Sequence, residues 1–443
     1  MGILGMMRNS AGRVVRRHLG GRGEGMRVRE RRFPARVRAD LQRGMEAVGK
    51  EMGAALRYGV TSRYGQAVTL SEVVQGGMMG PALGPVVYED VDVGEAEAVR
   101  CPKSGLWLGE WEGTRYVVLV SQGEPPYSAL GTTVQVGTVG ARGEEVCGRV
   151  MRVLEEVVKK SPSYRGKVLS LEAGEGYSGQ GQGVKVHRLR EVKREEVILP
   201  AATLALLERN VMGFVVRREK IGAMGQSRKK GLLFHGRPGT GKTHTIHYLA
   251  RALAGHTTLI VTAEQVGLLP EYMTLARLLQ PSMVVIEDAD LIARERSRMA
   301  SACEEVMLNR LLNEMDGLKE DADVIFVLTT NRPEALEEAL TARPGRVDQA
   351  VEFPLPDEAG REKLVRLYAG KAAMTEEVVK ETVERTEGVS AAFIKELMRR
   401  AVQFHLEREE TGRIDGEDVR GAIEEMVVGG GAVNRRLMGV GQR

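Results

Sequence analysis

One octapeptide constrains the chain more than any other stretch: Gly236-Arg-Pro-Gly-Thr-Gly-Lys-Thr243. The apolar run Gly231-Leu-Leu-Phe-His235 precedes it, and a segment of helical character from Lys242 to about Leu253 follows. Strand, glycine loop and helix in that order form the context a phosphate-binding loop needs. Glycines let successive backbone N–H groups curl inward around phosphate oxygens, where side chains would obstruct. The N-terminus of the following helix adds partial positive charge. Lys242 can set an ammonium on the β- and γ-phosphates, and the Thr243 hydroxyl can ligate Mg²⁺. The candidate nucleotide-binding residues are Gly236, Arg237, Pro238, Gly239, Thr240, Gly241, Lys242, Thr243 and His244. A glycine-rich turn is the competing reading in a chain with 54 glycines. The strand before and the helix after speak against it.

At 443 residues the chain has room for two or three domains, each with its own core. A hydrophobic fraction of 42% is that of a soluble globular protein, and no uninterrupted apolar run reaches the length of a membrane span. Cys101, Cys147 and Cys303 lie far apart, without the spacing of a zinc site or a disulfide framework. Reduced thiols in a cytoplasmic protein are the expectation. The excess charge, +4 in all, is concentrated at the start, where residues 1–43 carry only Glu24, Glu30 and Asp40 as acids. Such a start suits a transit peptide, a basic arm for nucleic acid or a disordered tail. A translation start at Met26 or Met45 would remove much of it. The expectation is a basic disordered arm over 1–43, with nucleic-acid binding kept as an alternative but not favoured. A secretory signal is not expected, because no apolar stretch follows the basic residues.

Residues 44–195 read as one α+β domain. Valines and aromatics alternate with polar residues from about Val86 to Val136, the period of strands. Val146, Val150, Val153, Leu154 and Val157 recur at helical spacing, and Val168-Leu-Ser-Leu-Glu172 is a further strand. Trp107 and Trp111 read as packing rather than a ligand cage. No catalytic constellation stands out here, and client recognition is the expected role. Ile198-Leu-Pro200 begins a new region, with a helical pattern from Ala201 to Val216 and Val211-Met-Gly213 placed where an adenine pocket would form.

Downstream of the glycine loop, Thr257–Thr262 reads as a second buried strand and Met283-Val-Val-Ile-Glu-Asp-Ala-Asp290 as a third, ending in carboxylates. Acids at the C-terminal end of a parallel strand sit where ligands bind in an open α/β sheet. One can hold the Mg²⁺ shell while the next polarises an attacking water. Val324–Thr330 is a fourth strand, ending at Asn331, whose amide can hydrogen-bond a water or the γ-phosphate. Arg343-Pro-Gly-Arg346 follows. Guanidinium groups suit charge developing on a transferring phosphoryl group, although a solvated pair of surface arginines is the alternative. From Asp357 the pattern is helical: 359–368, 376–385, 391–407 and 416–426.

These motifs in this order make the region from about Ile198 to Met426 resemble the AAA ATPases of the AAA+ superfamily. Leu308-Asn-Arg-Leu-Leu-Asn-Glu-Met-Asp-Gly-Leu318, Thr329-Thr-Asn-Arg332 and Gly388-Val-Ser-Ala-Ala392 strengthen the match. The resemblance implies an α/β P-loop NTPase core over 196–356, with a parallel sheet and a C-terminal helical lid over 357–428; residues 429–443 themselves read as a disordered tail. It implies Asn331 as a sensor of the γ-phosphate and Arg343 and Arg346 as arginine fingers reaching a neighbouring subunit's nucleotide. It also implies a homo-oligomeric ring, usually a hexamer, with ATP and Mg²⁺ as cofactors. The catalytic set is then Glu287, Asp288, Asn331, Arg343 and Arg346, and the metal ligands Thr243 and Glu287.

The chain departs from the family pattern in three places. The acidic pair is Glu287 then Asp288, where Asp then Glu is usual. That order is similar to AAA proteins like the mitochondrial inner-membrane chaperone of respiratory complex III, whose transmembrane helix has no counterpart here. No aromatic-apolar-Gly pore loop follows the second strand, which leaves Tyr272 as the aromatic to face a pore. Ala391 replaces the usual Gly of Gly-x-Ser-Gly-Ala. No His-Glu-x-x-His zinc-protease motif follows the ATPase region, and the final Val-Gly-Gln-Arg443 lacks an apolar-Tyr-x docking tail.

The expected function is Mg²⁺-dependent ATP hydrolysis by a cytoplasmic ring that remodels or unfolds a macromolecular client, in the first place a protein. The alternatives are an ATP-gated scaffold with little turnover, and a nucleic-acid motor or loader using the arginine-rich start.

Overall fold

The computed structural model describes residues 11–21, 25–61, 67–75, 81–123, 131–172, 183–290, 313–314, 322–334, 346–408 and 413–429. The chain divides into two compact units, Met1–Arg188 and Leu189–Arg443. In the first unit the elements run α1 (Ala11–His18), β1 (Arg27–Phe33), α2 (Arg38–Met52), β2 (Ala55–Thr61), α3 (Leu70–Gln75), β3 (Ala82–Gly84), β4 (Tyr88–Val91) and β5 (Val99–Pro102). They continue with β6 (Ser104–Trp111), β7 (Thr114–Gly123), β8 (Gly131–Thr138), α4 (Gly143–Lys160), β9 (Val168–Glu172) and β10 (Gly183–His187). Six strands form an antiparallel sheet in the order β1-β8-β7-β6-β2-β3. Every residue of β8 is buried, so both faces are covered there. Val15, Leu70 and Val73 of α1 and α3 cluster with Leu106, Val117 and Leu119. By the two-residue alternation of a strand, Val118 and Val120 turn to the opposite face, where α2 and α4 pack. Trp107 is 4% exposed and belongs to this core.

The basic start is folded wherever it is described, against the expectation of a disordered arm. Ala11, Val15, Leu19, Phe33, Val37 and Leu41 are buried while the arginines of α1 and β1 stay largely at the surface. The amphipathic spacing was obscured by the charge count. Asp40, also in this stretch, is fully buried, and its carboxylate accepts from Ser161 Oγ at 2.6 Å and from the Ser163 N–H at 2.8 Å. Those bonds offset the cost of burying a charge.

In the second unit two helices, α5 (Ala201–Asn210) and α6 (Met212–Ala223), precede β11 (Lys230–His235), α7 (Lys242–Ala252), β12 (Thr257–Val261), α8 (Leu269–Leu278), β13 (Ser282–Ile286), β14 (Val324–Thr330) and β15 (Gln349–Glu352). These five strands pair in parallel in the order β12-β13-β14-β11-β15. Their near-continuous apolar runs fit burial on both faces: every residue of β13 and β14 is buried. Phe234 and Phe353 meet with ring centroids 5.1 Å apart in the core.

The helical C-terminal part is α9 (Glu358–Ala369), β16 (Ala373–Met374), α10 (Glu376–Arg385), α11 (Ala391–Arg408), β17 (Arg413–Ile414) and α12 (Gly416–Glu424). Side-chain caps start three of these helices: Asp357 accepts from the Gly360 N–H, Thr375 from Val378, and Asp415 from Glu417 and Asp418. Val365, Ile394, Leu397 and Val419 form a core of their own. Among the described residues no helix is long and apolar enough to cross a membrane.

Candidate active site

The parallel sheet delivers the glycine loop and two strand ends to one edge. Residues 236–243 run from the end of β11 into α7, with Gly241 as the helix N-cap. Gly239 has φ +76°, a conformation that L side chains rarely adopt. A Cβ there would lie 2.8 Å from Ala392 Cβ and 2.9 Å from Ser390 Oγ at the start of α11. The Ala392 N–H donates to Gly239 O at 3.0 Å, so helix α11 sits directly on the loop.

Lys242 is 7% exposed. Its Nζ donates to Gly236 O at 2.8 Å, Arg237 O at 3.1 Å and Asn331 Oδ1 at 2.8 Å. Burial pushes its pKa down to about 8, against the opposing pull of Asp288 and Asp290. The Asn331 amide donates in turn to Asp288 Oδ1 at 3.1 Å. One hydrogen-bonded chain therefore joins Lys242, Asn331 and Asp288. Asp288 has φ +49°, uncommon for a non-glycine residue, and its N–H donates to Thr329 Oγ1 at 2.9 Å. The preceding Glu287 faces a different partner: its Oε1 accepts from Thr243 Oγ1 at 3.0 Å. The reversed acids thus hold separate posts, Glu287 beside the threonine and Asp288 beside Asn331.

Asp290 escaped the set of candidate residues. It is 3% exposed, and its Oδ1 accepts from Thr330 Oγ1 at 2.9 Å and from the Asn331 N–H at 3.1 Å. Its place in the acidic run Glu287-Asp-Ala-Asp290 at the end of the strand is the available sequence signal. Lys395 was also missed. It lines the cavity from α11, one turn after Ala391 and Ala392, with its Nζ 6.0 Å from the Tyr368 ring centroid.

The cavity at this edge has a volume of about 340 Å³ and takes in the loop from Pro238 on, Asp288, Asn331, Val197, Leu199 and Tyr368, while Gly236 and Arg237 do not line it. His244 Nε2 donates to Glu196 O at 3.1 Å on its wall, and burial holds the imidazole pKa below its ordinary value. Val211-Met-Gly213, expected at an adenine pocket, does not line it. Val211 is fully buried in the core with Leu207 and Phe234, because the junction of α5 and α6 turns it inward. The apolar wall comes instead from residues 197–199. Tyr272 is likewise no pore residue: it is fully buried in α8, and its hydroxyl donates to Gln265 Oε1 at 2.9 Å.

Arg346 stands apart from this cavity. Its carbonyl oxygen would be 1.9 Å from a Cβ at Gly231, near the beginning of β11. The glycine loop leaves the end of the same strand, about 15 Å away at the rise of a parallel strand. Asp348 clamps that far end, accepting from the Gly231 N–H at 2.7 Å while its own N–H donates to Gly231 O at 2.8 Å. Arg343 lies outside the described residues, as do 308–312 and 315–318 of the asparagine-rich motif.

The donor set fits a nucleoside triphosphate with a hard divalent cation. A buried ammonium already saturated by three oxygens has the donors to exchange for phosphate oxygens. A threonine hydroxyl within hydrogen-bond reach of a carboxylate offers the oxygen ligands magnesium prefers.

A profile of the ATPase family associated with various cellular activities (AAA) matches residues 232–355. The proteasome-activating nucleotidase of Methanocaldococcus jannaschii is 30% identical over 304 residues, covering 65% of this chain and 66% of that protein. The proteasome-activating nucleotidase of Methanococcus maripaludis is 30% identical over 300 residues, covering 64% and 69%. ATP-dependent zinc metalloprotease FtsH 1 of Methylacidiphilum infernorum is 34% identical over 235 residues, covering 49% and 36%. The chain therefore spans from about a third to about two thirds of the length of these relatives.

Proposed function

The chain belongs to the AAA ATPases, and from that premise we propose that it hydrolyses ATP with Mg²⁺ and couples turnover to the remodelling of a protein client. The observation that carries the reading is the hydrogen-bonded chain Lys242–Asn331–Asp288 on the wall of the cavity. ATP phosphates would take the place of Gly236 O, Arg237 O and Asn331 Oδ1 around Lys242 Nζ. Freed from the lysine, Asn331 keeps its backbone held by Asp290 and can orient a water for Asp288 to polarise. Thr243 and Glu287 are the proposed Mg²⁺ ligands, and the ion would supply neutralisation of phosphate charge. Residues 197–199 and Tyr368 would receive the base.

The arginines act in a neighbour's site under this proposal. Arg346 lies at the other end of β11 from its own glycine loop, so a homo-oligomeric ring, in the family pattern a hexamer, is what would bring it to a phosphate. The first unit would recognise the client. A cytoplasmic setting accords with the buried, unpaired thiols of Cys101 and Cys147, and cell fractionation tests it. The chemistry is tested with purified full-length chain. Phosphate release should require Mg²⁺, and Lys242→Ala should abolish both ATP binding and turnover; undiminished turnover in that variant sinks the assignment.

A further inference from the structure

No described residue of the arginine-rich start lines the cavity, yet the fold sets seven of its residues, Arg27–Phe33, along a sheet edge. β1 ends the six-stranded order, paired to β8 alone. Among the described residues no backbone hydrogen bond reaches its outer side. Six of its seven residues are exposed, and four of them are arginines: Arg27, Arg29, Arg31 and Arg32. The single acid, Glu30, is engaged by its cross-strand neighbour on β8, accepting from Gln135 Nε2 at 2.5 Å.

Strand alternation puts Arg27, Arg29 and Arg31 on one face and Val28 and Arg32 on the other. Arg29 and Arg31 on the first face lean toward α4. A Cβ at Gly148 would be 3.5 Å from Arg29 Nη1, and Arg31 pairs with Glu155 while its guanidinium lies 5.6 Å from the Phe33 ring centroid. Val28 on the second face is 38% exposed. The edge therefore offers a row of open backbone groups, a positive face and a small apolar contact.

Charge on an edge strand keeps copies of the same chain from pairing there. The same sign attracts an acidic strand. We propose that β1 is a docking edge that takes an extended acidic segment of a partner protein as an added strand. Main-chain bonds would supply affinity, and Arg27 and Arg29, the two arginines of that face not paired with Glu155, would select carboxylates. Nucleic acid fits less well. The one aromatic of β1, Phe33, is 4% exposed beneath Arg31, so the strand has no ring on which a base can stack. Docking at this edge involves the first unit alone.

Fluorescence anisotropy on the full chain, without nucleotide, tests it. The probe is a labelled peptide of alternating Glu and Val, matching the strand's seven residues. The peptide should bind, and Arg27→Glu with Arg29→Glu should weaken it about tenfold or more. The same peptide N-methylated at alternate residues, added to the unaltered chain, should bind as weakly. That arm needs no variant to fold. Equal binding of the methylated and parent peptides overturns the proposal. So does unchanged binding by the charge-reversed chain, or an oligothymidylate that binds more tightly than the peptide.

Discussion

Lys242 is held by burial at a pKa of about 8, so its charge is a function of mildly alkaline pH. Below that value the ammonium is present to meet phosphate; above it the free protein holds a neutral amine. A bound triphosphate favours the charged form, so binding above pH 8 must take up a proton. ATP affinity should therefore be flat below about pH 8 and then fall, approaching tenfold per pH unit. Titration calorimetry between about pH 7 and 9.5 checks this, and an affinity level across that range contradicts it. Asp290 makes a second test. Asp290→Asn keeps the shape but weakens the acceptor for Thr330 Oγ1 and the Asn331 N–H. We predict that kcat falls about tenfold while KM for ATP changes little, because Asn331 loses its seat rather than the phosphates their donors. A matching rise in KM would place Asp290 in binding instead. The two acids at 287 and 288 were legible from the strand pattern. Their division between Thr243 and Asn331 depends on the turn at Asp288, with its φ of +49°, which spacing does not encode.

Elements were easier to read than their junctions. The apolar runs of β11, β13 and β14 announced buried parallel strands, and the glycine loop announced α7. Val211 and Tyr272 misled for one reason: a residue next to a functional segment was read as facing it, whereas both turn into the core. The folded start was hidden because arginines dominate α1 and β1 while a few small apolar residues do the packing. The contact of α11 with the glycine loop was equally invisible, since Gly239 and Ala392 are far apart in sequence. It makes a prediction at this scale. Gly239→Ala should reduce ATP affinity about tenfold, as the new Cβ meets Ala392 and Ser390 and carries left-handed strain. Gly255→Ala is the control: Gly255 has φ +83° with nothing within 4 Å, so strain is introduced without displacing α11. Equal effects of the two substitutions on ATP affinity would refute a role for the contact.

At the scale of the whole molecule, the site described within one chain holds an ammonium, two acids and an asparagine, and Arg346 lies at the far end of β11. Under the proposed function, a second copy completes the ATPase. Arg346→Ala should bind ATP normally and turn it over at least about a hundredfold more slowly, since an arginine acting on the transferring group is worth that or more. Lys242→Ala should bind no ATP. The most direct measurement mixes these two inactive variants and follows phosphate release. In a shared site, the Arg346→Ala chain contributes an intact glycine loop and the Lys242→Ala chain contributes the arginine. A shared site gives activity in the mixture that neither variant has alone, rising with the fraction of mixed assemblies. A mixture no more active than its components, with mixed assembly demonstrated, contradicts it.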